Sequence, residues 1–436
     1  MYSKKLYIYL SFLGFLLHAQ SPPTIEYFGN IENLDNEGFD IANNRLYAIF
    51  QGTNNSGDDA ALLSIVNLTT LEIIATFSPG GYPQNIDVFG NIVVVDGNKF
   101  FDVTDDEIQY LGENLMNSSV DDHVMHTHKR GNYLYRIHQG IGFGVYNMTD
   151  PLNPVIVHEH DYGIEKDYPY GISADENFVF VTNSFDDTHR IHIHNLWGGY
   201  YEEGQVDFSS YIDRAVSKDH FLYAREGGTL RVYNIENPGT PIDVNTFDPV
   251  PNSFNGEMEI IGNLLFIAQG NGAVLDISNP LNINTIHSFP MSAQDPDGNF
   301  ISSYEIKLYE NRIYVAFGGQ ANTDNWDGYL GGYVEVYDLD CNNDNLLWGS
   351  CYSVDNTIEI DLKNSNLTGS IPSQINNLIN LTNLNLDQNI LTGEIPSELY
   401  DLTNLQDLDL GNNNLIRHVP REIENLTQLT RLTLYG

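Results

Sequence analysis

Short apolar and aromatic runs, each preceded by a turn residue, recur along most of the chain. The turn residues and the runs behind them are Asn44 with RLYAIF, Asn91 with IVVVD, Asn132 with YLYRI, Asn177 with FVFVT, His220 with FLYAR, Asn263 with LLFIA and Asn311 with RIYVA. The spacings between the turn residues are 47, 41, 45, 43, 43 and 48. Gly90, Gly131 and Gly262 each precede an Asn, a hairpin signal because both residue types tolerate positive φ. Helical periodicity is absent from this region. The fourth unit shows four strand-like runs: YGISA, FVFVT, RIHIHNL and YYEEGQV. A period in the forties with several strands per unit predicts a seven-bladed β-propeller. A β-sandwich, the other all-β arrangement, does not repeat one turn-plus-strand phrase seven times.

The third run of a unit recurs as GFGVYNMTDP, TLRVYNIENP, AVLDISNP and GYVEVYDLD. A Pro after Asn or Asp ends the strand, since Pro cannot donate to a ladder and steers its predecessor out of helical geometry. Unit seven stops at Asp338–Asp340 without a fourth run, whereas an unmatched run from Thr24 precedes unit one. That strand is expected to pair with unit seven and remove two open edges. The phrase GNLLFIAQGNGAVLDISNPLNI resembles the LVIVD-repeat propellers of bacterial surface proteins over roughly residues 24–340. The resemblance implies a secreted propeller and no particular reaction.

The register changes after Glu359. Leu362, Leu386, Leu410 and Leu434 are 24 residues apart, within IEIDL, LTNLNL, LQDLDL and LTRLTL. Ser365, Asn389 and Asn413 follow at matching positions, where an Asn can satisfy backbone groups that a bend leaves unpaired. With LTGSIP from Leu367 and LTGEIP from Leu391, the segment resembles leucine-rich repeats of the plant-receptor type. In the third repeat the phrase decays to LIRHVP, with Arg417 in place of Gly. CNNDNLLWGSC resembles the cysteine-and-tryptophan cap that precedes such repeats. The resemblance implies a Cys341–Cys351 bridge, with Trp348 covering the first coil. Reduction is then expected to loosen that coil and leave the propeller's melting almost unchanged. The expected fold is mainly β: a propeller over 20–340, then a capped leucine-rich-repeat solenoid over 341–436.

Lys4 and Lys5, the apolar stretch from Leu6 to Leu17 and the small residue Ala19 read as a signal peptide over 1–19. Export permits a disulfide between the only two cysteines. No later run is long and apolar enough to span a bilayer. The expected location is secreted, extracellular or cell-surface. The chain closes on Tyr435-Gly436 directly after a strand, so a cap from elsewhere and surface attachment through a missing C-terminal region are further expectations. A net charge of −40 disfavours nucleic acid and anionic lipid as partners and favours basic proteins, cations or neutral glycans.

Strand alternation places Glu359, Asp361, Lys363, Asn383, Asn385, Asp387, Asp407, Asp409, Arg431 and Thr433 on the concave face of the solenoid. A solvated sheet face is the plain alternative. In the propeller, the channel mouth is expected near Glu37, Asn85, His123, Tyr170, Arg214, Glu257 and Tyr304, a mixture able to hold a small polar ligand. An empty, hydrated channel is the alternative there. The pairs His126/His128 and His192/His194 would bind a metal only if a third ligand converged, so no metal is expected. No cofactor is expected either. The stretch from Asp338 begins like a calcium loop but has Asn343 where Gly is required and Gly349 where the closing Glu belongs. No hydrolase, metalloprotease or nucleotide-binding motif is present. The favoured function is non-enzymatic recognition or adhesion, binding an extracellular protein or glycan. The alternative is a propeller hydrolase or lyase using a channel histidine with a carboxylate.

Overall fold

A computed structural model describes residues 24–32, 36–53, 59–79, 85–113, 124–138, 142–161, 169–175, 177–185, 188–196, 199–248, 257–268, 272–289, 301–309, 312–319, 333–341, 345–348, 350–365, 367–416 and 421–434. The leader, His123, Arg417 and residues 342–344 and 349 of the calcium-like loop lie outside them.

Seven four-stranded antiparallel sheets form the blades of a propeller. Their innermost strands are Asn36–Ala42, Ile86–Phe89, Val124–Arg130, Pro169–Ala174, Ile212–Lys218, Met258–Ile261 and Ile301–Tyr309. Each neighbours the next, and the seventh returns to the first. The hairpins behind these strands turn through positive φ, at Asn43 and Asn44 in blade 1 and at Gly90, Gly131 and Gly262 in blades 2, 3 and 6. The N-terminal strand Thr24–Glu32 supplies the outer strand of blade 7, running antiparallel to Tyr333–Asp340 with Thr24 opposite Asp340. The expected closure is therefore present, and it ties the ring's two ends together.

Seven apolar clusters hold the blades, one at each interface. Tyr47, Ile49, Val88 and Val93 join blades 1 and 2, and Tyr135, Phe143, Ile172 and Val181 join blades 3 and 4. The cluster between blades 6 and 7 is larger than the others. It runs from Phe266 and Val315 through Tyr337 and Leu339 to Cys341, Trp348 and Cys351, and on into the leucines of the solenoid. The two repeat arrays thus share one core. The cysteine cap therefore packs on blades 6 and 7 as well as on the first coil.

The solenoid sheet is parallel, with strands Glu359–Asp361, Asn383–Asn385, Asp407–Asp409 and Arg431–Thr433 in order. Between strands, each coil turns at a residue with positive φ, Asn364, Gln388 and Asn412, again 24 apart. The buried Asn ladder works as its chemistry allows. Asn389 Oδ1 accepts from the N–H groups of Ser365 and Leu367 at 2.9 and 3.0 Å, while Nδ2 donates to the carbonyls of Leu362 and Leu386 at 2.7 and 2.9 Å. Asn413 repeats this one coil on. Ser365 is too short to do the same and donates to the Lys363 carbonyl at 3.5 Å. The Cys341–Cys351 disulfide is formed, with the two Cα atoms 5.5 Å apart.

Candidate functional site

The inner strands carry two tiers of polar residues around the channel. Counting back from each turn residue, the position six before it holds Gly38, Asn85, His126, Gly171, Arg214, Glu257 and Glu305. The position four before holds Asp40, Asp87, His128, Ser173, Val216, Glu259 and Lys307. Four of the inner strands bulge just before the upper tier, between Asn36 and Gly38, Val124 and His126, Pro169 and Gly171, and Ser303 and Glu305, and in a fifth the irregularity between Ile212 and Ala215 contains the tier residue Arg214. A bulge adds one residue and flips the alternation behind it. Glu37, Tyr170 and Tyr304 fall at the inserted position, so the upper tier is filled by Gly38, Gly171 and Glu305 in their blades. In blade 3 the tier residue is His126, three residues beyond His123. Of the expected mouth residues, Asn85, Arg214 and Glu257 occupy the tier.

These side chains staple each blade to the next. Asp40 Oδ2 accepts from Val88 N–H at 2.9 Å, and Asn85 Oδ1 from Thr127 N–H at 3.2 Å. Thr127 also donates its hydroxyl to Asp87 at 2.7 Å. His126 Nδ1 accepts from Ile172 N–H at 3.1 Å, and Ser173 donates to the Ala215 carbonyl at 2.5 Å. Arg214 donates to Glu257 at 2.7 Å, Lys307 lies 3.7 Å from Glu259, and Glu305 Oε2 accepts from Phe39 N–H at 2.6 Å. All seven interfaces are bridged. Two further contacts link non-adjacent blades: His126 Nε2 to Glu257 Oε1 at 3.0 Å, and Lys129 to Asp40 at 2.6 Å.

Burial sets the protonation of these groups. It would raise Glu257, but the Arg214 charge and His126 hold that carboxyl well below the usual range. Burial lowers His126, and Arg214 adds to the effect. A neutral His126 that accepts at Nδ1 carries its proton on Nε2 and donates it to Glu257. Burial pushes Asp87 up to about 6 and Glu305 up to about 8. It lowers His128 to about 3. Both nitrogens of His126 are therefore spent on the scaffold, which leaves no lone pair for base catalysis in this arrangement. Among the described residues no three ligand-type side chains converge to hold a metal ion.

The solenoid sheet aligns Glu359, Asn383, Asp407 and Arg431 in one column and Asp361, Asn385, Asp409 and Thr433 in the next. Arg431 pairs with Asp407 at 3.0 Å. Asp361 and Asp409 each accept a local backbone N–H, and both keep surface towards solvent. Asp387 departs from the expectation. It lies past the end of its strand, is largely covered, and bonds Lys363 at 3.0 Å and Asn412 at 2.9 Å.

The leucine-rich-repeat family model matches residues 380–402 and 404–426. No curated protein matches the chain. Similar solved structures include the computationally designed Ika8 protein, at 11% identity over 73% of this chain and 100% of that one, TM-score 0.44. Sqt1 from Chaetomium thermophilum shares 8% identity over 73% and 99%, TM-score 0.48. The plant peptide hormone receptor RGFR1, in complex with RGF2, shares 37% identity over 17% of this chain and 12% of its own, TM-score 0.17. No helix among the described residues is long and apolar enough to cross a membrane. The chain thus joins a seven-bladed β-propeller to leucine-rich repeats near its C-terminus.

Proposed function

We propose that the chain is a secreted or cell-surface recognition protein that binds an extracellular protein or glycan on the concave solenoid sheet. Leucine-rich repeats beside a propeller point to protein interaction. The observation that carries the finer reading is the pair of register columns, which present Glu359, Asp361, Asp407 and Asp409 with Asn383 and Asn385 on one ladder. Such a ladder fits a basic or hydroxyl-rich partner, and concave solenoid faces are the usual binding surface. The resemblance of the repeats to LVIVD-repeat propellers and plant-receptor repeats accords with this reading. The upper channel mouth, with Asn85, Arg214 and Glu257, is proposed as a second, smaller polar site.

The hydrolase or lyase alternative draws on the 3.0 Å contact between His126 and Glu257. The commitment of both His126 nitrogens weighs against it. Arrays of extracellular proteins and glycans probed with the full chain and with Glu359→Lys/Asp409→Lys separate the outcomes. The recognition reading expects at least one ligand whose binding falls tenfold or more in the variant. Ligands held equally by both proteins, or no ligand at all, would contradict it.

A further inference from the structure

The first solenoid bend meets the propeller at two points on opposite sides of the ring. Arg130, at the end of the inner strand of blade 3, donates from Nη2 to Asn364 Oδ1 at 3.0 Å. The next residue, Ser365, accepts through its carbonyl from Gly262 N–H in the blade 6 hairpin at 3.4 Å. Blades 3 and 6 are three steps apart in a ring of seven. Two consecutive residues can reach both hairpins only by lying across the opening between them. The flanks are close as well. A Cβ on Gly262 would stand 3.2 Å from the Trp348 carbonyl, and one on Gly131 would stand 3.9 Å from Ile390. Lys218 reinforces the blade 6 hairpin by donating to the Gly262 carbonyl and, at 2.9 Å, to Asn263.

Every inner strand runs towards this lower mouth, and the lower tier lies just inside it. Asp40, Glu259 and Lys307 are enclosed by protein. Yet they keep accessible side-chain surface, from 14% at Asp40 to 29% at Glu259. Groups that are enclosed but accessible line a lumen large enough for water, which solvates the ion pairs of Lys129 with Asp40 and Lys307 with Glu259. We infer that the solenoid bend at Asn364–Ser365 closes the lower mouth of the channel. The charged lumen is then a one-ended compartment, entered from the mouth that carries Asn85, Arg214 and Glu257. A solute coming that way must pass the tie between His126 and Glu257, so the lower tier admits water and small polar solutes. This inference does not depend on what the concave sheet binds.

Native lysines supply the test. Lys129 and Lys307 face the closed end, whereas Lys363 is 49% exposed on the solenoid. Acetylation of the full chain by a small amine reagent, followed by mass spectrometry, reads access at each. The Gly262 amide, bonded to Ser365, reads docking through hydrogen exchange. In the native protein Lys129 and Lys307 should react at least tenfold more slowly than Lys363. In Ile390→Arg and Arg130→Ala the Gly262 amide should exchange faster, and both lysines should accelerate tenfold or more. Lysines that stay slow once Gly262 is freed overturn the closure. So do lysines that already match Lys363 in the native chain. A Gly262 amide that stays protected in both variants overturns the docking contacts themselves.

Discussion

Glu305 and His128 sit in the same lumen, and burial moves their proton affinities in opposite directions. Glu305 rises from 4.5 to about 8, with nearby Glu257 and Asp40 adding to burial and Lys307 opposing it. The unfolded chain ionises this residue more readily than the folded one. The stability it contributes is therefore full below pH 4.5 and is lost as pH climbs through 8. His128 falls from 6.5 to about 3 through burial, with His126 and Lys307 adding. Its contribution is full above pH 6.5 and is lost as pH drops towards 3. Glu305→Gln keeps an acceptor for Phe39 N–H and removes the charge. Melting followed by circular dichroism should show the variant several degrees more stable at pH 8 and level with the native chain near pH 4. His128→Gln should flatten the acid side between pH 6.5 and 4. Equal losses at every pH would mean that neither group titrates as burial dictates. Both residues could have been found by counting back six or four positions from each turn residue, because polar side chains recur there inside otherwise apolar strands. The residues chosen as the channel mouth missed by one in three blades, since no sequence signal marks where a bulge inserts.

At the scale of the strand, Thr24–Glu32 matters more than its length suggests. It covers the edge of Tyr333–Asp340, and Ile25 packs on the core shared with the cysteine cap. Removing it would expose a row of unpaired backbone groups and uncover part of that core. Deletion of residues 24–32 should give a chain that aggregates on size exclusion and melts well below the native protein. A monomeric deletion of equal stability would refute its role as fastener. This strand was legible because unit seven lacks a fourth run and the N-terminal run has no unit of its own. The solenoid strands were equally legible, since a strict 24-residue spacing leaves one register in which all the leucines point inward. Asp387 was misplaced because the strands are only three residues long, so alternation was carried past their ends.

Across the whole molecule, a polar staple and an apolar cluster span each of the seven blade interfaces. The joint to the solenoid was not legible, because it depends on hairpins of blades 3 and 6 meeting a bend more than a hundred residues further along the chain, and no local pattern encodes such a contact. What the structure adds is the continuity of one core from blades 6 and 7 through Trp348 and the disulfide into the leucines. A bridge closing so short a loop is worth roughly 2–3 kcal/mol, and its loss should be felt on both sides of the joint. Differential scanning calorimetry of the full chain with and without reductant tests this directly. A shared core predicts a single transition in the oxidised protein, with hydrogen exchange in blades 6 and 7 accelerating together with the solenoid once Cys341 and Cys351 are reduced. Two separate transitions, of which only the solenoid's responds to reductant, would contradict it.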